Sequence, residues 1–273
     1  MDFGVVIPSS WSARQVISIA KSAEDAGLDF LLLTDHYMTP ISNSTVDAWA
    51  ALAAVAATTE RIRFGTCVTP VPFRPPAMLA KILATVDQIS DGRVIFGVGA
   101  GWHRAEFDAY SEWADDKVRA AKTAEALDLM TKLWAIRDPL DFHGKYFKGE
   151  GIVLEPKPVQ EPYPSMWFGA LGPFMLKLAA KYGEAWVPPV PGVDSGVYKN
   201  TISALRSLQG KYDKPERWKE VKVRFNGTLS EISEGIERQV AMGCNGAILA
   251  RMNYEELPSA MKKLSSEVAP SYR

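Results

Sequence analysis

The sequence predicts an α/β fold, a (β/α)8 TIM barrel forming a single domain over residues 1–273, and three observations predict it. Short β-rich runs alternate with amphipathic segments from one end to the other, eight times. The β-rich runs are continuous apolar stretches rather than alternating ones, as expected for parallel strands covered on their outer face. The length is close to the roughly 250 residues such a barrel needs. An open doubly wound sheet would carry a Gly-rich turn after its first strand, where this chain reads Pro8-Ser9-Ser10.

Taken in order, the first strand is Phe3–Ile7, followed by a helix from Ser12, a good N-cap, to Ala26, with Gly27 as its stop. Phe30–Leu33 is the second strand and Val46–Thr58 its helix; Ile62–Val68 is the third and Ala77–Ile89 its helix. Val94–Gly99 is the fourth, and a long helix covers Asp115 to Ile136. Residues 139–164, rich in Pro, Gly, Tyr and Phe, read as an irregular lid over the mouth or a small hairpin, with Tyr146-Phe147-Lys148-Gly149 as its tip. Met166–Gly169, Ala185–Val187, Val221–Phe225 and Ala247–Leu249 complete the strands. Their helices are Pro173–Tyr182, Tyr198–Leu208, Ser230–Met242 and Tyr254–Val268.

Lys+Arg 31 against Asp+Glu 32 leaves a formal net charge of -1, with no basic stripe, which argues against nucleic acid as a partner. Only Cys67 and Cys244 are present, too few for a disulfide framework or a four-ligand zinc site, and no metal is expected. No run is long and apolar enough for a bilayer, and MDFGVVIPSS is no signal peptide, so a cytoplasmic protein without a membrane partner is expected.

A barrel of this kind carries its site at the C-terminal ends of its strands. Those ends read Thr34-Asp35-His36-Tyr37, Cys67-Val68-Thr69-Pro70, Gly99-Ala100-Gly101-Trp102-His103 and Gly169-Ala170-Leu171-Gly172-Pro173, and hold two of the three histidines. Each has a plain alternative. Asp35 can cap a loop, Gly99 and Gly101 can end a strand in a tight turn, Trp102 can pack, and Cys67 can be buried strand material.

Together they are more specific. Ala23-Glu24-Asp25-Ala26-Gly27-Leu28-Asp29 leads to Thr34-Asp35-His36, and Arg61-Ile62-Arg63-Phe64-Gly65-Thr66 enters the third strand. Asp91-Gly92-Arg93-Val94-Ile95-Phe96-Gly97-Val98-Gly99-Ala100-Gly101-Trp102 follows, with Glu106-Phe107 just after. Then come Gly172-Pro173, Leu178 to Trp186, and Gly243-Cys244-Asn245-Gly246-Ala247-Ile248. In this order the chain resembles the bacterial luciferase-like superfamily, particularly its branch using the deazaflavin coenzyme F420.

The resemblance implies a tricyclic ring at the barrel mouth, against a non-prolyl cis peptide at Cys67-Val68, so that Cys67 acts through backbone shape. It implies a phosphate tail near Ala170, Leu171 and Gly172, where the amides of a helix N-terminus opened by Pro173 suit an anion. Asp35 matches a residue touching the deazaflavin's polar edge, and Gly99, Ala100, Gly101 and Trp102 flank the ring. His36 is the first choice as acid/base and His103 the second. Tyr37, Trp49, Phe73 and Glu106 are candidates for the substrate pocket. Where the sugar-phosphate dehydrogenases of the branch have a glutamate this chain has Trp102, which argues against glucose 6-phosphate. The shortening relative to the family falls around Pro188–Lys219.

The leading expectation is hydride transfer between coenzyme F420 and a small organic substrate. The alternatives are an FMN-dependent monooxygenase using reduced flavin and oxygen, and a non-catalytic flavin-binding protein, which retention of Asp35 and His36 disfavours. Relatives commonly pair as dimers through the early helices, so a homodimer is expected.

Overall fold

The computed structural model describes residues 1–188, 195–210, 212, 220–225, 234–237, 240–241, 244–250 and 253–273. Strand β1 (Asp2–Ile7) pairs in parallel with β2 (Phe30–Leu33), and β2 with β3 (Arg63–Thr66). β3 pairs with β5 (Val94–Gly99), β5 with β8 (Ser165–Phe168), and β8 with β9 (Ala185–Trp186). β9 pairs with β10 (Glu220–Phe225), β10 with β11 (Gly246–Leu249), and β11 returns to β1. These eight strands close a ring in which every pairing is parallel.

Alternation along each strand builds two apolar layers. Val6, Phe30, Leu32, Ile95, Trp167 and Ile248 fill the ring's interior. Their neighbours Val5, Ile7, Leu31 and Leu33 face outward, under the helices. The interior is packed solid: the Phe30 and Trp167 rings meet edge to face at 4.9 Å, and a Cβ at Gly4 would lie 2.2 Å from the Phe30 ring.

The helices start and stop on local signals. Ser12 and Gln15 form a capping box on α1 (Ala13–Asp25), and Gly27 leaves that helix at φ 75°. Asp47 caps α2 (Ala48–Thr58) on the Ala50 amide, one residue inside the expected start. α3 (Pro76–Ser90) opens on proline, and Asp115 caps α5 (Asp116–Ala135). α6 (Pro173–Tyr182) has the expected bounds, and α7 covers Ser195–Gln209.

Three expectations need correction. The third strand is not one run over Ile62–Val68: it stops at Thr66, turns through a cis Cys67-Val68 peptide, and resumes as the two-residue β4 (Thr69–Pro70) against β5. A short helix, α4 (Arg104–Tyr110), stands where no helix is expected. The final helix is regular over Leu257–Lys263 and widens into a π turn at Leu264–Val268. Most of the helix expected over Ser230–Met242, and much of Pro188–Lys219, lies outside the described residues.

Within 139–164 the chain forms an antiparallel hairpin of β6 (Leu140–His143) and β7 (Lys148–Ile152). Glu125 of α5 accepts hydrogen bonds from the amides of Lys145, Tyr146 and Phe147, fixing the hairpin's turn to the barrel's outer face. No residue of 139–164 lines the mouth cavity described next.

Candidate active site

A cavity of about 510 Å³ opens at the C-terminal ends of β2, β3, β5 and β8. Its floor is the cis bulge, Cys67-Val68. Gly99 and Gly169 clasp the Val68 side chain: added Cβ atoms there would lie 2.5 Å and 3.0 Å from its methyls. Ala100, Gly101 and Trp102 make one wall, Ala170 and Leu171 another, with Pro70 and Met175 adding apolar surface. Gly101 turns the chain at φ 81°, and a Cβ would meet the Phe107 ring at 2.5 Å. A small cavity of apolar surface with few polar groups fits a planar organic ring system.

The polar wall carries the chemistry. His36 lines the cavity, 19% exposed, with its Nδ1 3.0 Å from Glu106 Oε2. Glu106, in the first turn of α4, is 2% exposed. Its Oε1 accepts hydrogen bonds from the Tyr37 amide at 2.5 Å and the Met38 amide at 3.4 Å. Burial pushes the Glu106 carboxyl up, but the hydrogen bond and charge of His36, with the two amides, outweigh burial and hold it below the usual carboxylate range. Facing an ionised carboxylate, Nδ1 carries the imidazole hydrogen, which leaves Nε2 as the basic nitrogen.

The structure brings His36, Glu106, Cys67, Val68, Gly99 and Ala100 to one cavity, with Gly101, Trp102, Ala170 and Leu171 completing its walls. Other expected residues stand at its rim or outside it. His103 is second to Glu106, 4.0 Å from Oε2, and hydrogen bonds the Met38 carbonyl at 3.3 Å. Trp102, 63% exposed at the rim, stacks on His103 and meets His36 edge to face. Gly172 caps α6 behind Leu171.

Tyr37, Trp49 and Phe73, expected in the substrate pocket, do not line the cavity. Trp49 is buried and donates to Thr69 Oγ1 at 3.1 Å, while Phe73 packs between Tyr37 and Phe107. Trp49 and Phe73 are large apolar rings taken up by packing, while Tyr37 stays half-buried with its hydroxyl donating to Asp47 Oδ2 at 2.7 Å.

Asp35, 3% exposed, also lies behind the cavity wall. Arg74 grips both its oxygens, Nη1 to Oδ2 at 2.7 Å and Nη2 to Oδ1 at 2.8 Å, and Thr69 Oγ1 donates to Oδ2 at 2.8 Å. Arg74 escaped sequence reading because a lone arginine before Pro75-Pro76 carries the signal of a solvated loop.

A closed parallel barrel with a cavity and a histidine–carboxylate pair at its mouth defines the class, a TIM barrel with a candidate active site. The chain belongs to the luciferase-like monooxygenase family, whose model matches residues 1–260.

The chain is 33% identical over 178 residues to an F420-dependent glucose-6-phosphate dehydrogenase of Amycolatopsis mediterranei, covering 64% of this chain and 53% of that one. It is 25% identical over 267 residues to an FMNH(2)-dependent dimethylsulfone monooxygenase of Pseudomonas putida, covering 96% and 65%. The match thus spans about half the length of that F420-dependent relative and of a second one from Gordonia bronchialis. Among solved structures, an F420-dependent secondary alcohol dehydrogenase in complex with an F420-acetone adduct superposes with a TM-score of 0.87 at 23% identity, covering 100% of this chain and 99% of that one. A monooxygenase from Streptomyces bottropensis gives 0.87 at 20% identity, covering 100% of both. At those identities the likeness is one of fold. No helix among the described residues is long and apolar enough to cross a membrane.

Proposed function

We propose that the chain transfers a hydride between coenzyme F420 and a small organic substrate with a hydroxyl or carbonyl group. The observation that carries this reading is the Glu106-held His36 on the wall of an otherwise apolar cavity floored by Cys67-Val68. When bound, the deazaflavin supplies a two-electron hydride acceptor, or donor in the reverse direction. Val68, Gly99 and Ala100 would hold the ring, with Ala170 and Leu171 toward its tail. Nε2 of His36 takes the hydroxyl proton as the neighbouring C–H hydrogen leaves with its electron pair, and returns it in the reverse reaction. Glu106 keeps Nδ1 protonated throughout and stabilises the imidazolium. Trp102, Leu171 and Met175 make the walls apolar, which supports an uncharged substrate over a sugar phosphate.

A second reading, an FMN-dependent monooxygenase, is favoured by the relative whose match covers 96% of the chain. Either reading is compatible with a homodimer in the cytoplasm.

Separate fluorescence titrations with F420 and FMN test the assignment. Preferential F420 binding, with turnover of secondary alcohols abolished in His36→Gln, supports it. Preferential FMN binding with substrate-dependent oxygen consumption moves the second reading to first place, and binding of neither rejects both.

A further inference from the structure

Arg74 is nowhere in the cavity, yet it reaches the residues on both sides of His36. On one side its guanidinium holds the Asp35 carboxylate in a buried two-point contact at 2.7 and 2.8 Å. On the other side, Nη2 lies 3.3 Å from Asp47 Oδ2, and that same oxygen accepts the Tyr37 hydroxyl at 2.7 Å. The guanidinium also sits over the Tyr37 ring, 5.1 Å from its centre. Asp35 is tied further to the bulge through Thr69, whose hydroxyl also receives Trp49 Nε1–H. One cation therefore joins the turn after β2, the bulge after β3 and the N-cap of α2.

We infer that Arg74 is the positioning residue for His36, and that Asp35 serves the reaction as its anchor rather than as a contact to the coenzyme. The physical reason is a division of labour. Glu106 fixes the imidazole ring and the Tyr37 and Met38 amides from the α4 side. That bond has correct geometry only if the backbone at 35–37 is held from the other side, and Arg74 holds both flanking residues there. A guanidinium suits this task because its rigid fork meets one carboxylate at two points and still reaches a second, which an ammonium group cannot copy. With both Asp35 oxygens engaged by Arg74 and Thr69, a ligand would have to compete with a desolvated ion pair to reach them.

The inference rests on His36 being the proton-handling group, and its test includes a readout independent of any coenzyme. With His36, His103 and His143 as the only histidines, imidazole nitrogen shifts can be assigned with a His36→Gln control. At a pH where the rings are neutral, wild-type His36 should show the Nδ1–H tautomer. Arg74→Lys and Asp35→Asn should shift it toward a mixture and lower kcat at saturating coenzyme at least tenfold. Coenzyme dissociation constants should stay within about threefold, and Lys should retain more turnover than Arg74→Met. An unchanged His36 tautomer in any folded Arg74 variant overturns the proposal. So does Asp35→Asn that weakens coenzyme binding tenfold or more while kcat is kept, since Asp35 would then be a ligand. If wild type binds neither coenzyme, the proposed function fails, and the tautomer comparison still decides the role of Arg74.

Discussion

Nδ1 of His36 and Oε2 of Glu106 lie 3.0 Å apart although 70 positions separate them in sequence. The pair joins the turn after β2 to the helix after β5, and its carboxylate is buried while its imidazole reaches the cavity. Because the carboxylate is held ionised by its surroundings, it dictates which imidazole nitrogen is basic.

Glu106→Gln keeps the shape and removes the charge. The amide can offer Nδ1 either an acceptor or a donor, so the tautomer is no longer enforced, and turnover should fall roughly 10²-fold. Stability should respond to acid in a defined direction. The folded carboxyl titrates below its ordinary value. Its contribution is therefore complete above the unfolded value of about 4.3 and is lost as pH falls through the folded value. Melting temperatures from pH 7 to pH 3 should drop less steeply for the variant than for wild type; parallel curves would contradict this.

Gly99→Ala should act on the cavity floor. The new methyl would lie 2.5 Å from Val68 Cγ2, and the valine must move. The expected cost is about 1–3 kcal/mol in stability. Coenzyme affinity should fall with it, by a factor larger than for Gly172→Ala, whose Cβ meets nothing within 4 Å. Equal effects of the two variants, read by titration, would count against Val68 as the surface under the ring.

Trp49→Phe separates packing from substrate contact. It deletes a buried donor to Thr69 and leaves part of the indole volume empty. A loss of about 2 kcal/mol is expected, several degrees in Tm, with substrate KM unchanged. A raised KM at constant stability would return Trp49 to the substrate pocket.

Trp102→Ala should do the reverse. At 63% exposure the side chain contributes little to folding, and stability should change by no more than about 0.5 kcal/mol. The apolar rim beside His36 is lost, so KM for uncharged substrates should rise several-fold. A change confined to Tm would assign the ring to packing on His103.

The barrel was legible because its evidence is local. Phe30–Leu33 and Val94–Gly99 are continuous apolar runs, and both are strands with the expected bounds. Ser12, Gly27 and Pro173 punctuate helices through their own backbone preferences, which need no distant partner. The strand ends named the mouth, and the resemblance to known proteins placed the Cys67-Val68 cis bond. Local signals were weaker for α4, whose seven residues are too few to show a periodic face.

What only the tertiary structure decided is which side chains meet. Glu106 reads as a candidate for the substrate pocket, and only the closed ring shows it behind His36 as the partner of Nδ1. Arg74 and Asp35, 39 positions apart, become a buried pair because β2 and β3 are neighbours and their following turns converge. Trp49 and Phe73 are as apolar as residues that line the cavity, and only packing puts them behind its wall, where Tyr37 is held by its hydroxyl's bond to Asp47. Periodicity reports whether a residue is buried. Whether it is buried against a core, a charge or a ligand depends on contacts between distant segments, and those exist only once the barrel has closed.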